Sequence, residues 1–262
     1  MKNLLIYINP SKSFVSPDEG WKGEVDILVK IQIDNSLELG WKREDILVVT
    51  NFDYEYNGVK ALVVSDDTFC ECSPTASKVN VIIEMFNRGL IGKDLYWFHD
   101  WDAFQLAPIT EEEINLKERC IGITGYGITR MRNKDFFRWS TGTIFFKDDT
   151  KDLFELLRDV VYKHKANEEV ALLALRRTNP TVLSRLQTMD ITYNVATRKR
   201  DIIATYNAAA QPVRVIHFHP FDKRVIEGES DNMAVCVRGE NSINKVLVNQ
   251  TILDLFEKYN IK

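Results

Sequence analysis

Asp100 and Asp102 flank a single tryptophan, Trp101, at the end of the apolar run DLYWFHDWDAFQL. Apolar segments favour burial, and carboxylates resist it unless something positive meets them. In an extended segment residues i and i+2 point to the same face, so both carboxylates can converge on one point while Trp101 turns away. Two carboxylates held close repel unless a cation or a proton lies between them. Mg²⁺ and Mn²⁺ are hard, oxygen-seeking ions, commonly held by one or two carboxylates together with substrate phosphates. The pair therefore fits a metal–diphosphate seat, and it also fits a solvated turn that happens to carry two acids.

Three further segments carry groups of the right kind. His217 and His219 lie two apart in HFHPFDK and make up half of the four histidines in the chain. Imidazole suits Mn²⁺ or Zn²⁺, and Lys223 in the same run can neutralise phosphate as a point charge. A strand end with one exposed and one core histidine would read the same. Ser140, Thr141 and Gly142 stand just before an apolar stretch, where glycine lets a ligand approach the backbone and hydroxyls can bond sugar or phosphate; a plain turn has the same composition. Glu168 and Glu169 open the helical pattern NEEVALLAL, a place the helix dipole favours for acids without any function.

The elements that must position these groups can be read from apolar periodicity. NLLIYIN (Asn3 to Asn9) reads as a buried strand stopped by Pro10, followed by a long Ser-, Pro- and Gly-containing loop. Helical spacing runs from Val25 to Leu39, with Gly40 as its cap. DILVVTNFD and VKALVVSDD read as second and third strands, Thr75 to Leu90 as a helix and DLYWF as a fourth strand. Continuous apolar strands alternating with helices predict an α/β protein with a largely parallel central sheet flanked by helices. In such sheets ligands bind beyond the carboxyl ends of the strands. Asn9, Asn51, Asp53, Asp66, Asp67 and the Asp100/Asp102 pair all fall at those ends. CIGITGYG, TGTIFFK and VRVIHFHP read as later strands. Asp152 to Lys163, Glu168 to Arg177 and Thr251 to Tyr259 read as helices. No repeat or linker divides the chain, so one domain over residues 1–262 is expected.

The 262 residues are 45% hydrophobic and 27% charged, the balance of a globular protein. The formal net charge of −4 gives no blanket basic surface, which argues against sequence-independent nucleic-acid binding. No stretch approaches the ~20 apolar residues of a membrane helix, and the short apolar N-terminal run reads as a strand rather than a signal peptide. Of the four cysteines, Cys70 and Cys72 are too close for an easy bridge, and no paired CxxC suggests structural zinc. A reducing, cytoplasmic setting is expected.

Taken in order, HDWD, STG, NEE and the His217–Lys223 pair resemble the motifs of the GT-A glycosyltransferases, most closely the family 8 type that includes glycogenin and the bacterial lipopolysaccharide galactosyltransferases. That pattern is a strand ending in Asp-x-Asp, an Asn-Ser-Gly before a strand, an Asp-Gln opening a helix, and a late His-x-x-Gly-x-x-Lys. This chain departs from it at Ser140, at Pro220 and in NEE. The resemblance covers Lys78 to Lys223 and implies a Rossmann-like GT-A domain with a nucleotide-binding half (1–102) and an acceptor and sugar half (103–262). It implies transfer of a sugar from a UDP- or GDP-linked donor, with Mn²⁺ or Mg²⁺ as cofactor, to a carbohydrate, lipid or protein acceptor. Asp100, Asp102 and His217 would hold the metal, and Lys223 the diphosphate. Asn9, Asn51, Asp53 and Lys78 would contact the donor. Ser140, Thr141, Gly142 and the catalytic candidates Glu168 and Glu169 would face the sugar. The competing readings are a metal-dependent hydrolase using Asp100, Asp102, His217 and His219, a non-catalytic sugar-nucleotide binder, and a nucleotidyltransferase.

Overall fold

Leu4 and Leu5 are both fully buried yet point to opposite faces of the first strand, and this sets the layering of the molecule. The computed structural model describes residues 1–9, 20–131, 134–196, 208–217 and 257–258, with the side chains of 20–24, 126–138 and 196 left out. Its elements run β1 (Lys2–Tyr7), α1 (Gly20–Glu38), β2 (Ile46–Thr50), β3 (Glu55–Tyr56), β4 (Val59–Lys60), β5 (Leu62–Val63), α2 (Ser77–Asn87), β6 (Tyr96–His99) and β7 (Ala103–Gln105). They continue with α3 (Glu111–Ile114), β8 (Ile121–Met131), β9 (Lys134–Phe146), α4 (Lys151–His164), α5 (Glu168–Thr178), α6 (Pro180–Leu183), β10 (Leu186–Met189), β11 (Val195–Ala196) and β12 (Val215–His217).

The central sheet has seven strands in the order β10-β8-β9-β6-β1-β2-β5. β1 pairs in parallel with β2 and β6, β2 with β5, and β10 with β8. β9 alone runs against its neighbours β6 and β8. The sheet is therefore mostly parallel and flanked by helices, as the apolar pattern predicts. Leu4, Phe98, Ile144 and Phe146 pack on one face with Val79, Ile82 and Met85 of α2, Phe154 and Leu157 of α4, and Leu172 and Leu175 of α5. Leu5, Tyr7 and Val48 pack on the other face with Val25, Val29 and Ile33 of α1. A small second sheet, β11-β12-β7, lies beyond β6.

Three elements differ from the sequence expectation. The third strand is divided into β4 and β5, because Ala61 donates its N–H to the Tyr54 carbonyl at 2.9 Å and bends the chain there. Ser140, Thr141 and Gly142 lie inside β9 rather than in a turn before it. β8 pairs Thr124 with Ser140 but the adjacent Ile123 with Ile144, so residues 141–143 bulge out of that ladder. Finally, Asp100 and Asp102 sit in a turn between β6 and β7, closed by Ala103 N–H donating to the Asp100 carbonyl at 2.9 Å, and not in extended backbone. No helix among the described residues is long and apolar enough to cross a membrane. Of the expected C-terminal helix, Glu257 and Lys258 are helical and the rest lies outside the described residues. His219, Lys223 and residues 10–19 also lie outside them, and the loop expected to reach Gly23 ends earlier, because α1 begins at Gly20.

Candidate functional site

The turn that carries the two aspartates is held from behind by α1. Its buried Gln32 donates to the carbonyls of Trp101 and Ala103 at 2.9 and 3.0 Å, and Asn35 donates to that of Gln105 at 2.9 Å. Buried amides are retained in a helix face where they satisfy carbonyls that a tight turn leaves unpaired. From the front, the β9 bulge closes on the same turn, with Asp100 N–H donating to the Gly142 carbonyl at 2.9 Å. The aspartates thus project from backbone pinned on both sides.

β12 delivers the third group. It runs antiparallel to β7, with His217 opposite Ala103, and this register sets the imidazole beside the turn. One ligand atom from each of Asp100, Asp102 and His217 lies within 4.8 Å of the others. His217 Nε2 is 3.1 Å from Asp102 Oδ1 and 4.0 Å from Asp100 Oδ2. His217 Nδ1 faces Asn194 Oδ1 at 3.1 Å, an oxygen that can only accept, so Nδ1 carries the proton and Nε2 can present its lone pair to the carboxylates. Asn194 is oriented in turn by donating its Nδ2 to Ser140 Oγ at 2.7 Å. Burial alone would push the His217 imidazole down, but facing Asp102 and Asp100 outweighs burial and holds its pKa above the ordinary value.

Lys78, in the first turn of α2, is the second hub. Its ammonium is 2.7 Å from Asp100 Oδ1 and 3.1 Å from Glu168 Oε1, and it also donates to the Thr141 carbonyl at 3.3 Å. Burial raises the Asp100 carboxyl above its usual range, and Asp102 adds to that; Lys78 opposes both without overcoming them. Glu168 is 3% exposed, and its oxygens are taken by Lys78, by the Thr141 hydroxyl at 2.8 Å and by the Thr75 hydroxyl at 3.2 Å. Burial pushes its carboxyl up, but Lys78, its own backbone N–H and the Thr141 hydroxyl outweigh it, and the pKa lies below the usual carboxylate value.

These groups line one side of a cavity of about 370 Å³, walled by Ile6, Ile8, Phe69, Pro74, Phe98 and Trp101. Thr141, Gly142, Glu168 and Glu169 also line it, so the structure gathers Lys78, Asp100, Asp102, Thr141, Gly142, Glu168, Glu169 and His217 at one place. Ser140 stands behind them, joined to His217 through Asn194. Asn9, Asn51 and Asp53 are not among the lining residues. Asn51 instead bonds the Asn9 backbone twice, at 2.8 and 3.0 Å, and Asp66 Oδ1 at 2.7 Å, tying the ends of β1 and β2 together. A larger depression of about 760 Å³ near Asn80, Arg158 and Tyr162 is lined by none of these groups.

Sequence reasoning missed Asn194 and Thr75. Neither stands in a motif: Asn194 lies in an ordinary turn before β11, and only its contact with His217 marks it.

No protein-family model and no curated protein sequence matches the chain. Solved structures do. The chain aligns with the galactosyltransferase LgtC, solved with donor and acceptor sugar analogues, at a TM-score of 0.51 and 10% identity, over 83% of this chain and 87% of that one. The fold is that of the GT-A glycosyltransferases. The glycosyltransferase GlyE of Streptococcus pneumoniae TIGR4 shares this GT-A fold at a TM-score of 0.53 and 10% identity, over 100% of this chain and 65% of GlyE. The bifunctional glycosyltransferase WbbM aligns at 0.50 and 13% identity, over 82% of this chain, which spans 45% of WbbM.

Proposed function

We propose that the protein is a metal-dependent glycosyltransferase that moves a sugar from a nucleotide-diphosphate donor, UDP- or GDP-linked, onto an acceptor. The observation that supports this reading most strongly is the Asp100–Asp102–His217 cluster, its three ligand atoms within 4.8 Å, at the wall of a cavity in a GT-A fold.

The donor set suits Mn²⁺ or Mg²⁺: two hard carboxylates, and an imidazole whose Nε2 lone pair is directed inward. The charge balance also suits it. With neutral His217, the carboxylates of Asp100, Asp102, Glu168 and Glu169 share the cavity with one ammonium, Lys78, which leaves an excess of negative charge for a divalent ion to offset. When bound, such an ion supplies Lewis acidity toward the departing diphosphate.

The protein's own groups do the rest. Lys78 fixes Asp100 through Oδ1, which keeps Oδ2 directed at the cluster. Asn194 fixes the tautomer of His217. Ile6, Ile8, Phe69 and Phe98 give the cavity an apolar wall beside these charges, and a low-dielectric surround strengthens charge interactions. Glu168 is committed to Lys78, Thr141 and Thr75, and Glu169, whose Oε1 accepts from Thr141 N–H at 3.4 Å, lines the cavity and would face the sugar. Lys223 would meet the diphosphate, and Asn9 and Asp53 the nucleoside.

The test is a thermal-shift screen of nucleoside diphosphates with and without Mn²⁺, followed by donor turnover with and without sugar acceptors. UDP or GDP with Mn²⁺ raises the melting temperature, and Asp102→Ala removes the rise. A metal-dependent hydrolase would instead turn over with water alone and show little nucleotide preference. Absence of a shift with every nucleoside diphosphate would overturn the proposal.

A further inference from the structure

Cys70 and Cys72 are two residues apart in FCECSPTASK, and their sulfurs face each other at 3.5 Å. We propose that this pair is a redox-modifiable dithiol, closing to an intramolecular disulfide when it meets a low-molecular-weight disulfide of the glutathione type.

The geometry needs little change to close. Residues two apart have Cα atoms at most about 7 Å apart, close to the upper limit for a bridged pair. The two side chains already point at each other, and the remaining approach to bonding distance is a matter of small rotations in a loop. The segment holds no long helix or strand: the cysteines lie between the short turns Asp66–Thr68 and Pro74–Ala76.

The two sulfurs are unequal, and the inequality assigns their roles. Cys72 is exposed, whereas Cys70 is fully buried, and burial pushes its thiol up to about 11. Thiolate character and access together select the attacking sulfur. Cys72 therefore attacks the incoming disulfide as a thiolate, forming a mixed disulfide and expelling one small thiol. Cys70, held alongside, loses its proton and attacks the Cys72 sulfur, expelling the second. One S–S bond forms in the protein, one breaks in the oxidant, and the two electrons and two protons leave on two small thiols.

The pair lies along the chain between residues that line the cavity. Phe69 precedes it and Pro74, Thr75, Ser77 and Lys78 follow, all of them lining residues. Ser77 Oγ accepts the Cys70 N–H at 2.9 Å, and Ser73 N–H donates to the Cys70 carbonyl at 3.1 Å, so the cysteines share a hydrogen-bonded turn with that wall.

The test reads sulfur alone and stands apart from sugar transfer. The reduced, folded full-length protein is exposed to oxidised glutathione, quenched with an alkylating reagent and digested with trypsin without reduction. The tryptic fragment from Ala61 to Lys78 contains Cys70 and Cys72 and no other cysteine. The expected result is a fragment lighter by two hydrogens, unalkylated, and restored by a reducing agent. In Cys72→Ser, whose altered side chain is exposed, Cys70 becomes fully alkylated once the protein is unfolded and the lighter fragment disappears. A wild-type fragment that carries two alkyl groups, or a lasting glutathione adduct on Cys72 with Cys70 still alkylated, would overturn the proposal.

Discussion

Gly142 and His217 are packed so closely that a Cβ on residue 142 would collide with Cε1 and Nδ1 of the imidazole. The glycine admits the ring to the cluster, because β9 bulges toward it and leaves no room for a side chain. Gly142→Ala must therefore displace His217 or the bulge, at a cost of about 1–3 kcal/mol in stability. The sharper consequence is at the proposed metal site: Mn²⁺ affinity, measured by calorimetric titration, falls by about tenfold or more. Unchanged affinity in both Gly142→Ala and His217→Gln would mean that His217 does not contribute a ligand.

Asn194 is predicted to matter through His217. Asn194→Leu removes the acceptor for Nδ1–H and frees the ring to turn or change tautomer, and Mn²⁺ affinity drops by about ten- to a hundredfold. Asn194→Asp retains an acceptor at that point and recovers most of the affinity. Circular dichroism and the melting curve check that both variants remain folded.

Lys78 supports two carboxylates from a side chain that is 7% exposed. Lys78→Met leaves Glu168 buried without its cation, which costs about 3–5 kcal/mol in denaturant unfolding. Adding Glu168→Gln to the same chain removes the stranded charge and regains a large part of the loss. A double variant no more stable than the single one would show that the two residues are not energetically coupled.

Acid acts on this pair in a defined direction. The Glu168 carboxyl is held below its unfolded value, so its contribution is present above the unfolded carboxylate pKa, near 4.3, and is lost as pH falls through the lower folded pKa. Wild-type stability therefore drops in that acid window, and Glu168→Gln flattens this part of the profile in pH-dependent unfolding.

Metal binding has the opposite partner in His217. Its protonated form is favoured by Asp102 and Asp100, so its pKa is raised, and a metal ion must displace that proton. Apparent Mn²⁺ affinity accordingly rises with pH, by up to about tenfold per unit, and levels off above the raised pKa. Titrations across the histidine range read the slope directly, and His217→Gln abolishes it.

Amino-acid order alone is enough to read the layers. Runs such as NLLIY, ILVVT and YWFH are apolar on both faces, and a strand of that kind is stable only between helices, so the alternating order led to a mostly parallel α/β sheet. It also determined that Asp100 and Asp102 stand at a strand's end, since the apolar run stops there. Tertiary structure decided everything that depends on partners far along the chain. His217 and Asp102 are 115 residues apart, and only the antiparallel register of β12 on β7 brings them to 3.1 Å. Lys78 gives no sign in its own helix of the carboxylates it will meet 22 and 90 residues later, Asp100 and Glu168. The reversal of β9 and its bulge at 141–143 arise from pairing with two strands at once, and local propensity carries no information about pairing. Periodicity reports which face a residue turns to the core; the identity of what it meets there is fixed by the topology that closes the sheet.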